Sequence, residues 1–225
     1  MSEQVIKIVY FAYLLPNSWL PIVTEQLDSL KSLDLYEKAK NIYFSVIADD
    51  VELATLKSLL NEKYQKIEII NHYYENLYEY PGIKAVYDIS NENEDETIIL
   101  YFHSKGMTSN EHHHRERLFD VTIKNYEMYV NEFDKNKYLD VGCALPHSSG
   151  LSYFNFFWIR SSYMRKWVPK PIPGTDRYVW ECWIGNSYSK KEKVVTYSPY
   201  YGCGSVDSTG SYLAHLLCSD LSLLL

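Results

Sequence analysis

The chain has 225 residues, 46% hydrophobic, 23% charged and 16% aromatic, enough apolar length to close one sizeable core, which excludes disorder as its main state. Its 22 Lys and Arg against 29 Asp and Glu give a formal charge of -7, and with no basic stripe the phosphate-neutralising surface of a nucleic-acid binder is missing. The 4 cysteines, Cys143, Cys182, Cys203 and Cys218, lie far apart with no C-x-x-C pair, which argues against a zinc ribbon or a disulfide scaffold and suits a reducing, cytoplasmic compartment.

Residues 5–15 form a near-continuous apolar and aromatic run ended by Pro16-Asn17, predicting a strand buried on both faces. Lys7 sits inside this run, and no basic leader or small-residue cleavage site precedes it, so no signal peptide is expected. Leu20, Val23, Leu27 and Leu30 then recur at helical spacing over about 18–33, with Pro21 tolerated in the first turn. A second strand is expected at 41–48, a helix from Asp49-Asp50 through Leu53, Leu56, Leu60 and Tyr64, and a third strand at 66–71. Pro81-Gly82 starts a short helix to about 90, the polar stretch 91–96 is a loop, and 97–102 is a fourth buried strand. Strands alternating with helices predict an α/β fold with a mostly parallel sheet, whose ligands bind at the carboxyl ends of the strands. Chemistry is therefore to be sought after Tyr13, Ala48 and Phe102.

The regular alternation then stops and the second half is irregular α+β. A long amphipathic helix is expected over about 115–133, strands at 138–145 and 151–160, a short helix at 161–167, and a helix at 175–185 with Thr175 as N-cap and Gly185 at its end. The Gly-punctuated stretch 200–207 reads as a loop. Residues 211–225 are greasy, but His215 and Asp220 interrupt them and they fall short of a membrane span, so a packed terminal helix is expected and no transmembrane segment. No repeat or linker divides the chain, which is read as one domain, 1–225.

The strongest local signal is the run from Leu100 to Thr108, in which a buried strand delivers His103, Lys105 and Gly106 at its carboxyl end. Lys105 offers three donors and a point charge, and Gly106 allows close backbone approach, a combination that suits a diphosphate. The alternative is a strand end whose His and Lys are simply solvated. This aromatic-x-His-Ser-Lys-Gly motif, with Asp140-Val141-Gly142 and Asn155-Phe156-Phe157-Trp158 after it, resembles a group of glycosyltransferase-like proteins of the GT-A fold, over about 97–185.

The resemblance implies a Rossmann-type sheet flanked by helices, with a nucleotide-sugar donor held by about 1–110 and a saccharide or glycoconjugate acceptor by about 111–225. Most GT-A enzymes end this strand with Asp-x-Asp, whose carboxylates hold Mn²⁺ or Mg²⁺ against the donor diphosphate, and here the triplet is His103-Ser104-Lys105. Lys105, with a protonated His103, is therefore expected to stabilise the leaving diphosphate directly, with no cofactor required. A metal held by His103 with Asp49 or Asp50 is the alternative, disfavoured because hard cations prefer oxygen ligands.

Tyr13, Asp49, Asp50 and Lys84 are assigned to the nucleoside, although Asp49 or Asp50 serves equally well as a helix cap, with Glu52 at capping-box spacing from Asp49. Asn155 and Trp158 are the candidates for a sugar-facing wall, the neighbouring rings being core. The resemblance places a general base near Glu181, whose aromatic neighbours would raise its pKa; the alternative is an ion pair with Arg165 or Arg177. The run 112–114 of three histidines cannot converge on one ion and reads as a solvated loop or helix start, while Arg115 and Arg117 reach a diphosphate only if their loop folds over the site. No thiol has an evident base partner. A non-catalytic nucleotide- or saccharide-binding module on the same scaffold is the competing reading, since a fold never establishes an activity.

Overall fold

The computed structural model describes residues 4–92, 95–105, 107, 112–144, 152–174, 177–185, 193–200 and 202–207. Its first half follows the expected alternation: β1 (Val5–Tyr13), α1 (Trp19–Lys31), a short α2 (Leu35–Lys38), β2 (Asn41–Ile47), α3 (Asp50–Lys63), β3 (Ile67–Tyr73), α4 (Tyr80–Asn91) and β4 (Thr97–His103). Strands β3, β2, β1 and β4 lie side by side, all parallel, with Phe11 of β1 opposite both Ser45 of β2 and His103 of β4.

The doubly buried reading of the first strand holds, and side-chain alternation explains it. Ile6, Ile8, Tyr10, Ala12 and Leu14 pack with α1, α2 and α3 on one face, while Val9 and Phe11 pack with α4 on the other. Lys7 breaks the apolar run at low cost because its ammonium reaches Glu92 at 3.0 Å. On the second face Gly82 is where α4 touches the sheet, since a Cβ there would stand 2.5 Å from Tyr101 Oη and 2.7 Å from Phe11 Cβ.

Beyond β4 the structure departs from expectation in several places. The single long helix is two, α5 (His112–Phe119) and α6 (Tyr126–Lys135), joined by a π-helical turn at Asp120–Lys124. That wider turn releases backbone carbonyls, and side chains take them: Trp158 Nε1 donates to Thr122 O at 2.9 Å and Tyr129 Oη to Val121 O at 3.3 Å. The two expected strands shrink to β5 (Val141–Cys143) and β6 (Phe157–Arg160), followed by α7 (Ser161–Trp167) and α8 (Tyr178–Glu181).

The stretch expected to be a Gly-punctuated loop is instead β8 (Gly202–Asp207), paired antiparallel with β7 (Lys193–Ser198). Hydrogen-bonded into an edge hairpin, it lies four positions from β4 in the sheet, whose order is β3-β2-β1-β4-β6-β5-β7-β8. Strand β6 runs antiparallel to β4 and β5, so the sheet is mixed. Thr175 and the expected terminal helix at 211–225 lie outside the described residues. No helix among the described residues is long and apolar enough to cross a membrane.

Candidate functional site at the carboxyl end of β4

The carboxyl end of β4 is held from below. Ser104 continues the ladder by donating its N–H to Phe11 O at 2.9 Å, and buried Gln26 of α1 accepts from Tyr10 Oη at 2.7 Å and donates to His103 O at 3.3 Å. Arg115, expected as a loop residue reaching for phosphate, is buried instead. Its guanidinium donates to Lys105 O at 3.2 Å and pairs with Glu25 at 3.1 Å, so it fixes the backbone of Lys105 and leaves the binding of anions to others.

The other wall comes from residues fifty positions on. A 3-10 turn at Tyr153–Asn155 precedes β6, and Phe154 and Asn155 both hold left-handed backbone, with φ of 61° and 50°. Such angles cost about 1–3 kcal/mol each in a non-glycine residue and persist where the surroundings enforce them. Here they aim two groups at the end of β4. Phe154 O accepts from His103 Nε2 at 2.8 Å, and the Phe154 ring lies 4.1 Å under Lys105 Nζ. A carbonyl only accepts, so His103 carries its proton on Nε2.

Asn155 is fully buried and donates to Glu79 Oε2 at 2.6 Å and to Trp180 O at 3.3 Å. Glu79 stands at the N-cap of α4 yet makes no side-chain bond to that helix; its carboxylate turns inward, with Oε1 3.8 Å from His103 Nε2. Tyr101 lies beneath, its hydroxyl without a hydrogen bond among the described residues. Burial, and secondly the Glu79 charge, hold its pKa well above the usual phenol value.

Of the residues expected from sequence, His103, Lys105 and Asn155 are thus brought together, and Gly106 lies outside the described residues. The backbone of Glu181 ends α8, and its side chain lies outside the described residues. Tyr13 sits half-buried at the end of β1, packed against the α4 side of the core.

Trp158 is a correction. It is fully buried in the middle of β6, stacked on Tyr129 at 5.9 Å, so it belongs to the core and faces no sugar. Lys84 is tied to Asp88 one turn along its own helix, and that hydrogen bond raises its pKa. Asp140, from the motif that carried the resemblance, spends its carboxylate on Val195 N–H at 2.9 Å, joining β5 to β7. Burial pushes the Cys143 thiol up to about 12, which keeps it protonated and inert as a nucleophile.

Asp49 and Asp50 lie at the end of β2, two strands from His103 and so roughly 10 Å away in the plane of the sheet. Asp49 caps α3 by accepting the Glu52 N–H at 2.8 Å, and Asp50 accepts from Tyr74 Oη at 2.9 Å. Asp49→Ala is expected to lower stability by about 1 kcal/mol, whereas Asp49→Asn, an equally good cap, restores it. Denaturant unfolding checks both, and an Asn variant as unstable as the Ala variant would show that charge and not capping matters.

Glu79 and Phe154 are the residues that sequence reasoning missed. Glu79 lies after β3, just ahead of Pro81-Gly82, and an acid there is the same kind of signal as Asp49-Asp50 after β2. Phe154 carried no usable signal, because nothing in an aromatic run announces a left-handed backbone.

Among the described residues, the end of β4 offers Mn²⁺ or Mg²⁺ one carboxylate, Glu79, beside an imidazole and an ammonium, a poor set for a hard cation. Glu25, His112 and Glu116 bring three donor atoms within 4.8 Å of one another, but the Arg115 fork already contacts both Glu25 oxygens, at 3.5 and 3.1 Å, and its charge opposes a cation. A groove of about 450 Å³ lined by Gln4, Lys38, Lys40, Tyr126 and Glu127 opens at the opposite, amino end of β1, and there Lys38 is committed to Asp34 and Tyr126, each at 2.7 Å.

These features define an α/β protein whose central parallel strand ends in a His-Lys pair, buttressed by a strained turn and a half-buried carboxylate. The model of the family described as Domain of unknown function (DUF8361) matches residues 12–132, more than half of the chain, and the chain belongs to that family. The matched span contains Glu79, His103 and Lys105 and stops short of Asn155. No curated protein matches the chain.

Proposed function

We propose that the protein is a glycosyltransferase of GT-A-like architecture that moves a sugar from a nucleoside diphosphate sugar to a saccharide or glycoconjugate acceptor without a metal. The observation that carries the reading is the placement of Lys105 Nζ, 4.1 Å above the Phe154 ring, beside His103 at the carboxyl end of β4, the inner edge of the parallel half of the sheet. Crevices at such strand ends are where α/β sheets bind nucleotides.

In the reaction the acceptor hydroxyl attacks the anomeric carbon as its bond to the diphosphate oxygen breaks. The bonding electrons pass to that oxygen, where Lys105, together with His103 when protonated, stabilises the charge. The acceptor proton goes to a carboxylate, the role that the resemblance gives to Glu181. Cys143, Cys182 and Cys203 form no disulfide among the described residues, which fits a cytoplasmic setting.

Thermal melting with UDP, GDP, UDP-glucose, UDP-galactose and GDP-mannose, each in EDTA and in Mn²⁺, tests the reading, because a ligand of the folded state raises the melting point by mass action. Stabilisation by a nucleotide sugar in EDTA is expected. Stabilisation only with Mn²⁺ would overturn the metal-free mechanism. Nucleotide binding with no transfer to any of a panel of acceptor glycans would favour a binding module instead.

A further inference from the structure

We propose that Glu79 grips the sugar of the donor, so that the site prefers a nucleoside diphosphate sugar to the bare nucleoside diphosphate; the inference rests on the glycosyl-transfer reading. Three observations converge on this residue. Its carboxylate is withheld from the helix it begins, although a helix N-terminus is the favourable place for an acid to bond. Asn155 Nδ2, positioned by left-handed backbone, pins Oε2 at 2.6 Å. Oε1 lies 3.8 Å from His103 Nε2, beyond hydrogen-bond distance, and the proton of that nitrogen is already given to Phe154 O at 2.8 Å.

Oε1 therefore keeps its acceptor capacity, on a side chain 20% exposed, at the site of Lys105 and His103. A carboxylate accepts hydrogen bonds and donates none. Towards a second anion it is repulsive, and towards a hydroxyl it is among the strongest acceptors a protein has. A ligand satisfies both Lys105 and Glu79 only if it carries an anion and, next to it, a hydroxyl-bearing ring. A bare nucleoside diphosphate brings its terminal phosphate to the carboxylate, whereas a nucleotide sugar covers that phosphate and presents hydroxyls in its place.

The test is calorimetric titration in EDTA with UDP against UDP-glucose and GDP against GDP-mannose. The wild-type protein is expected to bind the sugar form of its preferred pair about tenfold tighter or better. Glu79→Gln keeps the size and the contact with Asn155 but removes the charge, and is expected to bind the bare diphosphate as well or better while the preference for the sugar form collapses. Glu79→Asp keeps the charge but shortens its reach, and is expected to lose the preference without gaining affinity for the bare diphosphate. Melting curves confirm that each variant is folded.

Equal weakening of both ligands in the variants would mark Glu79 as structural only and overturn the proposal, as would a preference that survives both substitutions or a wild type that has none. A wild type that binds neither pair overturns the glycosyl-transfer reading and the proposal with it, an outcome recognisable without any variant.

Discussion

Replacing Lys105 by alanine is expected to slow sugar transfer by about 10²- to 10³-fold, the usual effect of removing one preorganised group that meets charge developing in a transition state. The fold should survive. The Lys105 carbonyl, which accepts from Arg115 at 3.2 Å, remains in the variant. The cation–π contact with Phe154 is worth only about 0.5–1 kcal/mol in a partly exposed setting. Lys105→Arg keeps the charge but spreads it over a planar fork, and is expected to recover part of the rate. Single-turnover transfer measured with saturating donor isolates the chemical step. A Lys105→Ala loss of less than about threefold would remove the ammonium from the mechanism.

The second large effect falls on stability. Trp158→Ala is expected to cost about 3–5 kcal/mol, the range for emptying a buried tryptophan site, and to lower the melting temperature by roughly 10 °C in a chain of this size. Trp158 stands in β6 between Leu100 of β4 and Gly142 of β5, with Tyr129 stacked on it and its indole N–H bonded to the π-helical turn between α5 and α6. The void would open where sheet and helices meet, with Thr122 O left without its donor. Trp158→Phe keeps most of the volume and loses the hydrogen bond, for about 1 kcal/mol. If Trp158→Ala melted with the wild type and lost affinity for saccharides instead, the residue would be a ligand wall after all. Thermal melting paired with glycan titration separates the two.

The contrast between Trp158 and Asn155 shows how far the sequence could be read. Both stand in one aromatic run and by sequence both are candidates for a sugar-facing wall, yet they lie three residues apart and do different work. Strand β6 begins at Phe157, so Trp158 inherits the alternation of a buried sheet. Asn155 precedes the strand, in a turn whose left-handed backbone no hydropathy pattern announces. Asp49 shows the opposite case: the capping-box spacing to Glu52 was visible in the sequence, and the carboxylate does cap α3. Local chemistry with a local partner was legible there. Arg115 was not, because its partners, Glu25 and the Lys105 carbonyl, belong to elements brought to it by the fold.

What the sequence determined by itself is the parallel α/β half, because strands buried on both faces and helices with one apolar stripe declare themselves through their periodicity. It also determined that β4 ends in His103 and Lys105, since strand ends follow from where an apolar run stops. Only the tertiary structure decided the mixed half: the antiparallel insertion of β6 beside β4, the π-helical break in the long helix, and the β7–β8 hairpin in place of a loop. It alone decided the company of Lys105 too, seating it over Phe154 and bringing Glu79 and Asn155 together across 76 residues of chain. The physical reason is range: periodicity and capping act within a few residues, whereas a carboxylate turned away from its own helix gains its partner only when distant elements pack.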